Sequence, residues 1–190
     1  MKLLLAILLI IIPLKAFSPI LENGHYKLND NYNYCQYKTN LPNMVWKSLD
    51  TIHPSIKFDL NHLELMDKRA DSLNIPKRIL FRLVYKESAY NPYALSPKLA
   101  FGYCQLIPET YAYYKKVFRY DGYHSPEINI IIGTQKLHDL YKYWKPICKS
   151  EKKTWVYILA SYNAGKGNVI KYGGIPPFKE TIDFVNYILK

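Results

Sequence analysis

Cysteine is scarce in this chain of 190 residues, which has only three, Cys35, Cys104 and Cys148. They form no Cys-x-x-Cys pair, and the five histidines add no metal-ligand spacing. The sequence therefore predicts neither a metal site nor a bound cofactor. A Ser/His/Asp nucleophile motif and a phosphate-binding glycine loop are also missing. An odd number of cysteines leaves at least one free thiol in a monomer, and a Cys35–Cys148 disulfide is an open alternative.

Acidic residues are also few, 15 against 26 lysines and arginines, so the formal net charge is +11. Lys2 and Lys15 lie in the first 18 residues, and removing that segment leaves a charge of +9. With or without that segment the protein is basic, which suits an anionic partner such as a cell-wall polymer, a membrane surface or nucleic acid. No basic helix or aromatic-basic RNA motif accompanies the charge, so a nucleic-acid partner is the least favoured.

Long apolar runs are absent except at the N-terminus. Residues 1–18, MKLLLAILLIIIPLKAFS, contain a lysine, an apolar stretch and small residues after it, which is typical of a secretory signal peptide. The apolar stretch is short for a membrane span, and Pro13 interrupts it. We predict export to the periplasm or cell wall, with an uncleaved N-terminal anchor as the alternative.

Alternating strand patterns are scarce, and no internal repeat is present. Residues 19–43 are polar and rich in Tyr and Asn, which predicts an irregular N-terminal arm. Residues 44–190 have helical periodicity, so the expected fold class is mainly α. The predicted helices are His62–Leu73, Pro76–Ser88, Pro108–Phe118, a helix capped by Ser125 that runs to Trp144, a helix capped by Ser150 that stops near Asn163, and Lys179–Leu189.

One charged residue lies at an unexpected position in the stretch YKESAYNPYALS. Glu87 follows Leu83 by four residues and Val84 by three, so a helix would place all three on one face. Partial burial would raise the pKa of the Glu87 carboxyl and keep it protonated near neutrality, as a general acid requires. Periodicity alone also allows a helix-end glutamate that turns into water.

The residues after Glu87 form an ordered series of motifs that resembles the signature of soluble lytic transglycosylases. The series is Glu87-Ser88, Asn91-Pro92, Ser96-Pro97, Ala100, Gly102, Gln105, Pro108 and Thr110. The later family segments have counterparts in Asn129-Ile130 with Gly133, Leu137 and Leu140, in Ser161-Tyr162-Asn163-Ala164-Gly165, and in Glu180-Thr181 with Phe184-Val185. The resemblance runs from about Leu73 to the C-terminus.

This resemblance implies a lysozyme-like catalytic domain in residues 44–190 that cleaves peptidoglycan as a monomer. Glu87 would protonate the oxygen between N-acetylmuramic acid and N-acetylglucosamine, and then deprotonate the 6-hydroxyl that closes a 1,6-anhydro ring. The remaining expected site residues either contact the substrate or hold Glu87: Ser96, Gln105 and Asn163 by hydrogen bonding, Tyr162 and Tyr90 as groove walls, and Ser88 as substrate contact or brace. Three other acidic residues in or near these motifs, Glu109, Glu180 and Asp183, are expected to be structural.

Four positions depart from the family pattern. Leu99 replaces a glycine, which leaves the path of the loop open, and Tyr103-Cys104 replaces Leu-Met. Phe184 replaces a tyrosine whose hydroxyl lies near the catalytic carboxyl, a loss for which Tyr187 is a weak substitute. Two alternatives therefore stay open, a hydrolytic muramidase and a non-catalytic wall-binding subunit. General wall turnover and recruitment to a secretion or conjugation apparatus fit the sequence equally.

Overall fold

The computed structural model of the chain describes residues 59–118 and 125–190, together with the backbone of residues 21–22 and 25–26. The predicted signal peptide and most of the predicted N-terminal arm lie outside the described residues. Within the arm, Leu21–Glu22 (β1) pairs antiparallel with His25–Tyr26 (β2), and Leu21 lies opposite Tyr26. The other regular elements of the described chain are helices, apart from isolated β-bridges in the loop of residues 89–107, which confirms the predicted fold class.

Seven helices make up the described part of the domain. In chain order they are α1 Leu60–Ser72, α2 Lys77–Ser88, α3 Pro108–Phe118, α4 Pro126–Trp144, α5 Glu151–Ala164, α6 Lys166–Tyr172 and α7 Lys179–Leu189. Six of them were predicted from the sequence, and α6 was not. The glycines around Lys166 suggested a helix end. Gly165 does end α5, but a short helix then begins because buried Val169 packs toward α5.

Side-chain caps fix where three of the helices begin. Asp59 accepts from the Asn61 amide at 2.9 Å and starts α1. Ser125 accepts from the Ile128 amide at 3.2 Å and starts α4, and Ser150 accepts from the Lys153 amide at 3.3 Å and starts α5. Each cap satisfies an amide that has no partner within its helix. The two predicted serine caps are thus confirmed.

The core forms around α5, which packs against α4, α6 and α7. On the other side α1 contacts α4 and α2, and α2 contacts α7. Leu80, Leu83 and Val84 of α2 are fully buried, as are Ile158 and Leu159 of α5. Each such side chain contributes about 1.5 to 3 kcal/mol of transfer free energy. The packing brings the C-terminal end of α2 to the middle of α4 and the start of α7.

Candidate active site

The last turn of α2 carries Glu87 to the edge of the core. The helix ends at Ser88, and the chain reverses through Ala89 and Tyr90, which have φ angles of 48° and 61°. The Ala89 amide donates to the Tyr85 carbonyl at 2.8 Å and closes the final turn. Glu87 is half-buried, because it follows the fully buried Leu83 by one turn. The predicted placement on the apolar face is confirmed.

The environment of Glu87 favours its neutral form. The pKa of its carboxyl is raised from 4.5 to about 8, chiefly by burial; the charge of Lys136 opposes this shift, that of Glu180 adds to it, and that of Lys86 opposes it. The C-terminal end of a helix also disfavours a negative charge. Among the described residues no hydrogen bond or ion pair engages the Glu87 carboxyl. At pH 7 it is therefore a protonated acid whose proton is not committed to a protein acceptor.

The loop after α2 folds back on itself beside Glu87. Phe101 pairs antiparallel with both Leu95 and Leu106, and the Gly102 amide donates to the Ala94 carbonyl at 2.8 Å. Gln105 closes this loop, since its side-chain nitrogen donates to the Ala94 and Gly102 carbonyls at 3.0 Å each. The amide oxygen of Gln105 has no hydrogen-bond partner within the described ranges.

Ser96 shapes the tip of the same loop. Its amide donates to the Ala100 carbonyl at 2.9 Å, and its hydroxyl accepts from the Ala100 amide at 3.0 Å. Leu99 lies between them with a φ of 60°, a conformation that favours glycine. The loop keeps this left-handed turn although a leucine occupies it, with 62% of the side chain exposed. Leu99 thus adopts a left-handed turn at the cost of backbone strain.

A chain of polar contacts, buried except at exposed Glu127, braces the loop against α1 and α4. The Ser88 hydroxyl lies 3.0 Å from both the Val84 and Tyr103 carbonyl oxygens. The Tyr103 hydroxyl lies 3.0 Å from His62 Nδ1, and His62 Nε2 lies 3.0 Å from a Glu127 carboxyl oxygen. The hydrogen bond from His62 lowers the pKa of the Glu127 carboxyl to about 2. Ser88 therefore acts as a brace here, and Tyr103 is a buried link between helices.

Asn129, on α4, anchors the loop through its side-chain amide. Its side-chain oxygen accepts from the Cys104 amide at 2.7 Å, and its nitrogen donates to the Phe101 carbonyl at 2.7 Å and to the Tyr111 hydroxyl at 2.6 Å. Gly102 packs directly on this amide, because a Cβ there would lie 2.5 Å from the Asn129 nitrogen. The loop position is thus fixed by buried hydrogen bonds.

The departure at Cys104 fits the packing of α4. A Cβ on Gly133 would lie 2.6 Å from the Cys104 Cβ, so the loop and the helix touch only because that position is a glycine. Burial raises the pKa of the Cys104 thiol to about 12, which makes it a small packing residue and not a reactive one. Cys104 and Cys148 form no disulfide with each other, and the Cys35–Cys148 pairing stays a prediction because Cys35 lies outside the described residues.

The end of α5 and the start of α7 form the other side of the site. The Tyr162 hydroxyl donates to the Cys104 carbonyl at 2.9 Å. The Asn163 side-chain nitrogen donates to Glu180 at 3.2 Å, and its oxygen accepts from the Thr181 hydroxyl at 2.7 Å. Asn163 therefore orients Glu180, which in turn acts on Glu87. The sequence pattern treated Glu180 as structural and gave no sign of this contact.

The expectation that Tyr162 and Tyr90 line the groove needs correction, since Tyr162 is only 5% exposed and its hydroxyl is bonded to the Cys104 carbonyl. Tyr90 was expected to line the groove, but it is 1% exposed and its hydroxyl donates to the Phe81 carbonyl at 2.9 Å. The left-handed backbone at Tyr90 turns the ring into the core, where it offers no face to a ligand. Tyr187 stacks on Tyr85 with 6.2 Å between ring centroids, whereas Phe184 is buried in the core. Tyr187 is thus engaged with α2 and does not replace the missing hydroxyl.

Lys136 is a residue of the site that sequence reasoning missed. Its ammonium nitrogen lies 4.0 Å from the centroid of the Tyr162 ring and donates to the Tyr162 carbonyl at 3.2 Å. Its charge acts on the half-buried Glu87 carboxyl. The signal available in the sequence was its spacing, three residues after Gly133 on the same helix face. No group of three metal-ligating side chains occurs within residues 59–118 and 125–190.

The sequence matches the family model described as "Transglycosylase SLT domain" over residues 64–185, well over half of the chain. The chain belongs to the transglycosylase SLT domain family. The soluble lytic murein transglycosylase of Escherichia coli (strain K12) is 27% identical over 185 residues, covering 87% of this chain and 27% of the relative. The membrane-bound lytic murein transglycosylase C of Yersinia pestis (strain Pestoides F) is 28% identical over 119 residues, covering 58% of this chain and 33% of the relative.

Solved structures show the same fold for this SLT-family chain. It superimposes on the 70-kDa soluble lytic transglycosylase of Escherichia coli with a TM-score of 0.56 and 29% sequence identity, over 70% of this chain and 23% of that chain. The SLT-family chain thus spans only about a quarter to a third of the length of the curated relatives it matches. No helix in the described ranges is both long enough and apolar enough to cross a membrane.

Proposed function

We propose that this SLT-family chain is an exported lytic transglycosylase that cleaves peptidoglycan. The observation that carries the proposal is the state of the Glu87 carboxyl. It is half-buried at a helix end, has a pKa of about 8 and makes no hydrogen bond to another described residue. With that pKa about nine-tenths of the molecules carry the acidic proton at pH 7. The names of the related enzymes, which refer to murein, support peptidoglycan as the substrate class.

The reaction uses Glu87 twice. As an acid it donates its proton to the oxygen that links N-acetylmuramic acid to N-acetylglucosamine, and the bond from that oxygen to C1 breaks. The acetamido carbonyl of the muramic acid residue stabilises the positive charge at C1. The Glu87 carboxylate then takes the proton of the 6-hydroxyl, whose oxygen bonds to C1 and closes the 1,6-anhydro ring. No water is consumed, and Glu87 regains its proton.

An intramolecular hydroxyl removes the need for a second catalytic carboxylate. Ordinary glycosidases use one acid and one base or nucleophile. Here the 6-hydroxyl is held on the same sugar, and well-aligned intramolecular groups reach effective molarities on the order of 10⁵ M or more. Such a group would outcompete water in a closed site.

We assign the neighbouring side chains to holding the substrate and the acid. The free amide oxygen of Gln105 would accept from an acetamido or peptide N–H group, and Ser96, at the tip of the same loop, would contact the substrate through its hydroxyl. Asn163 orients Glu180, and Tyr162 supports the loop through the Cys104 carbonyl. Ser88 and Tyr90 serve the fold, as a brace and as a core residue.

The proposal extends to the parts of the chain beyond the described residues. Residues 1–18 would direct export, residues 19–43 would form an arm, and residues 44–190 would form the catalytic domain, acting as a monomer in the periplasm or at the cell wall. Recruitment to a secretion or conjugation apparatus would add a protein partner. Fractionation of cells that express the chain, followed by N-terminal sequencing of the mature protein, tests the export and cleavage.

A hydrolytic muramidase is the second candidate, and Glu180 is the observation that favours it. Its carboxylate acts on Glu87 and is oriented by Asn163, so it would be available to activate a water molecule. Such an enzyme would release reducing ends that are heavier by one water per product. The exposed position of Glu180 favours the first candidate, because open solvent access weakens its coupling to the reacting sugar.

Product analysis of purified sacculi separates the candidates. Wild-type protein should release 1,6-anhydro muropeptides, and Glu87→Gln should lower this release by at least 10³-fold, because the amide has no proton to transfer. Glu109→Gln, an exposed position at the start of α3, is the matched control and should retain full activity. Reducing ends from wild-type protein would establish the muramidase instead. Binding without any product would establish the non-catalytic subunit.

A further inference from the structure

Lys136, the half-buried lysine of α4, lies near the point where Gly133 lets this helix pack against the loop. Gly133 leaves no room for a side chain against Cys104, so the helix and the loop lie in contact at this point. Lys136 follows three residues later and therefore lies on the same face of α4. Its side chain runs along that contact toward Tyr162.

Tyr162 fixes the ammonium group of Lys136 in two ways. The nitrogen donates to the Tyr162 carbonyl at 3.2 Å and lies 4.0 Å above the centre of the Tyr162 ring. A carbonyl oxygen and a ring face stabilise a cation without neutralising its charge. In the described part of the chain Lys136 forms no direct ion pair, so its charge stays available to the site.

Glu87, at the end of α2, lies on the other side of Cys104 from Lys136. Its neighbour Ser88 is hydrogen bonded to the Tyr103 carbonyl at 3.0 Å, which places Cys104 beside the last turn of α2. Cys104 lies within electrostatic reach of both Glu87 and Lys136. The acid and the amine thus face one small cluster of residues but make no hydrogen bond to each other, which leaves the carboxyl free for a substrate.

We propose that Lys136 is a positioning residue of the reaction, whose fixed ammonium stabilises the ionised form of Glu87 between its two proton transfers. This inference rests on the proposed function. After Glu87 has given its proton to the glycosidic oxygen, a carboxylate lies in a poorly solvated place until the 6-hydroxyl returns a proton. Lys136 keeps all its protons throughout, and no bond to it forms or breaks.

The other charges that face Glu87 do not fill this role. Lys86, on the same helix, is exposed and its charge is screened by water. Glu180, from α7, is negative and opposes ionisation. Lys136, from α4, is the half-buried cation of the three, so its interaction with a carboxylate is screened least.

The test compares Lys136→Met, which removes the charge, with Lys136→Arg, which keeps it. Lys142→Met, at an exposed position of the same helix, is the matched control. Carbon-13 NMR of labelled glutamate carboxyls, assigned with Glu87→Gln, gives the titration midpoint of Glu87 without requiring activity. Losing the positive charge should move that midpoint to higher pH by about one unit in Lys136→Met, and by little in Lys136→Arg or Lys142→Met.

Kinetics on solubilised glycan strands supply the second measurement. For Lys136→Met, kcat should fall about three- to tenfold with KM unchanged, and the alkaline limb of kcat/KM should move up by the same interval as the NMR midpoint. Lys136→Arg should keep both kcat and the alkaline limb of kcat/KM close to their wild-type values. Circular dichroism checks folding, and Lys136→Gln, which retains a donor for the Tyr162 carbonyl, replaces the methionine variant if that variant does not fold.

Two results would separate this inference from the proposed function. A Glu87 midpoint that does not move in the uncharged variants refutes the role of Lys136, whether or not product forms. If wild-type protein releases no anhydro product but the Glu87 midpoint moves as expected in the uncharged variants, the proposed function is contradicted and the electrostatic contact is established. A loss of kcat in Lys136→Arg equal to that in Lys136→Met would also refute the inference, since it would show a steric and not a charge effect.

Discussion

Glu87 should lower the stability of the folded protein at alkaline pH, and Glu87→Gln should remove that effect. Burial raises the pKa of the carboxyl from 4.5 to about 8 in the folded state. Between these two pH values the folded protein holds a proton that the unfolded chain has lost. Stability from this group is therefore fully present below pH 4.5 and is lost as the pH rises through about 8.

The size of the effect follows from that interval. At 1.36 kcal/mol for each pH unit, the difference between 4.5 and about 8 corresponds to about 5 kcal/mol as an upper bound. A smaller difference would correspond to a proportionately smaller pKa shift of Glu87 in the folded protein. Glutamine has nearly the same shape and no charge, so the variant should be more stable than wild type by up to that bound near pH 9 and equal to it near pH 4.

Urea denaturation followed by circular dichroism from pH 4 to 9.5 measures this difference. Subtracting the two curves cancels the titration of all other groups. Glu109→Gln, at an exposed helix start, is the control and should change the free energy of unfolding by less than about 0.5 kcal/mol. A difference between Glu87→Gln and wild type that is the same at pH 4 and pH 9 would refute the reasoning, because it would show that Glu87 titrates normally in the folded protein.

Two further predictions concern glycine-dependent backbone. Leu99→Gly should raise the free energy of unfolding by about 0.5 to 1 kcal/mol, because relief of the left-handed strain at a φ of 60° exceeds the entropy cost of glycine. Leu99→Ala keeps the strain and should leave the thermal melting temperature unchanged. An equal gain in stability in both variants would contradict this reasoning. Gly133→Ala should lower the free energy of unfolding by about 1 to 3 kcal/mol, since its Cβ would lie 2.6 Å from the Cys104 Cβ, whereas Gly167→Ala, with open space around it, should be neutral or stabilising.

The local features of this protein were readable from its sequence. The caps at Ser125 and Ser150 and the apolar stripe that ends near Glu87 depend on residues within one or two helical turns of each other. The predicted helices and the burial of Glu87 on one face are therefore present in the structure. The short helix α6 was missed because it is stabilised by the packing of Val169 and not by its own sequence.

The departures from the family pattern were visible in the sequence, but their consequences were not. In the sequence, Leu99 shows only that a glycine is missing, whereas the structure shows that the leucine adopts a left-handed and therefore strained turn. Cys104 fits because Gly133, on another helix, gives it room. Tyr90 was expected in the groove, and only the backbone turn after α2 shows that its ring enters the core.

By itself the sequence determined that an acid ends the apolar face of α2 and that an ordered set of loop and helix motifs follows it. Tertiary structure decided which charges surround that acid: Lys136 from α4, held by Tyr162, and Glu180 from α7, held by Asn163. Periodicity reports neighbours within one helix, since it repeats every 3.6 residues. The proton affinity of a buried carboxyl instead depends on burial and on charges that other helices bring within a few ångströms, and no local pattern encodes those distances.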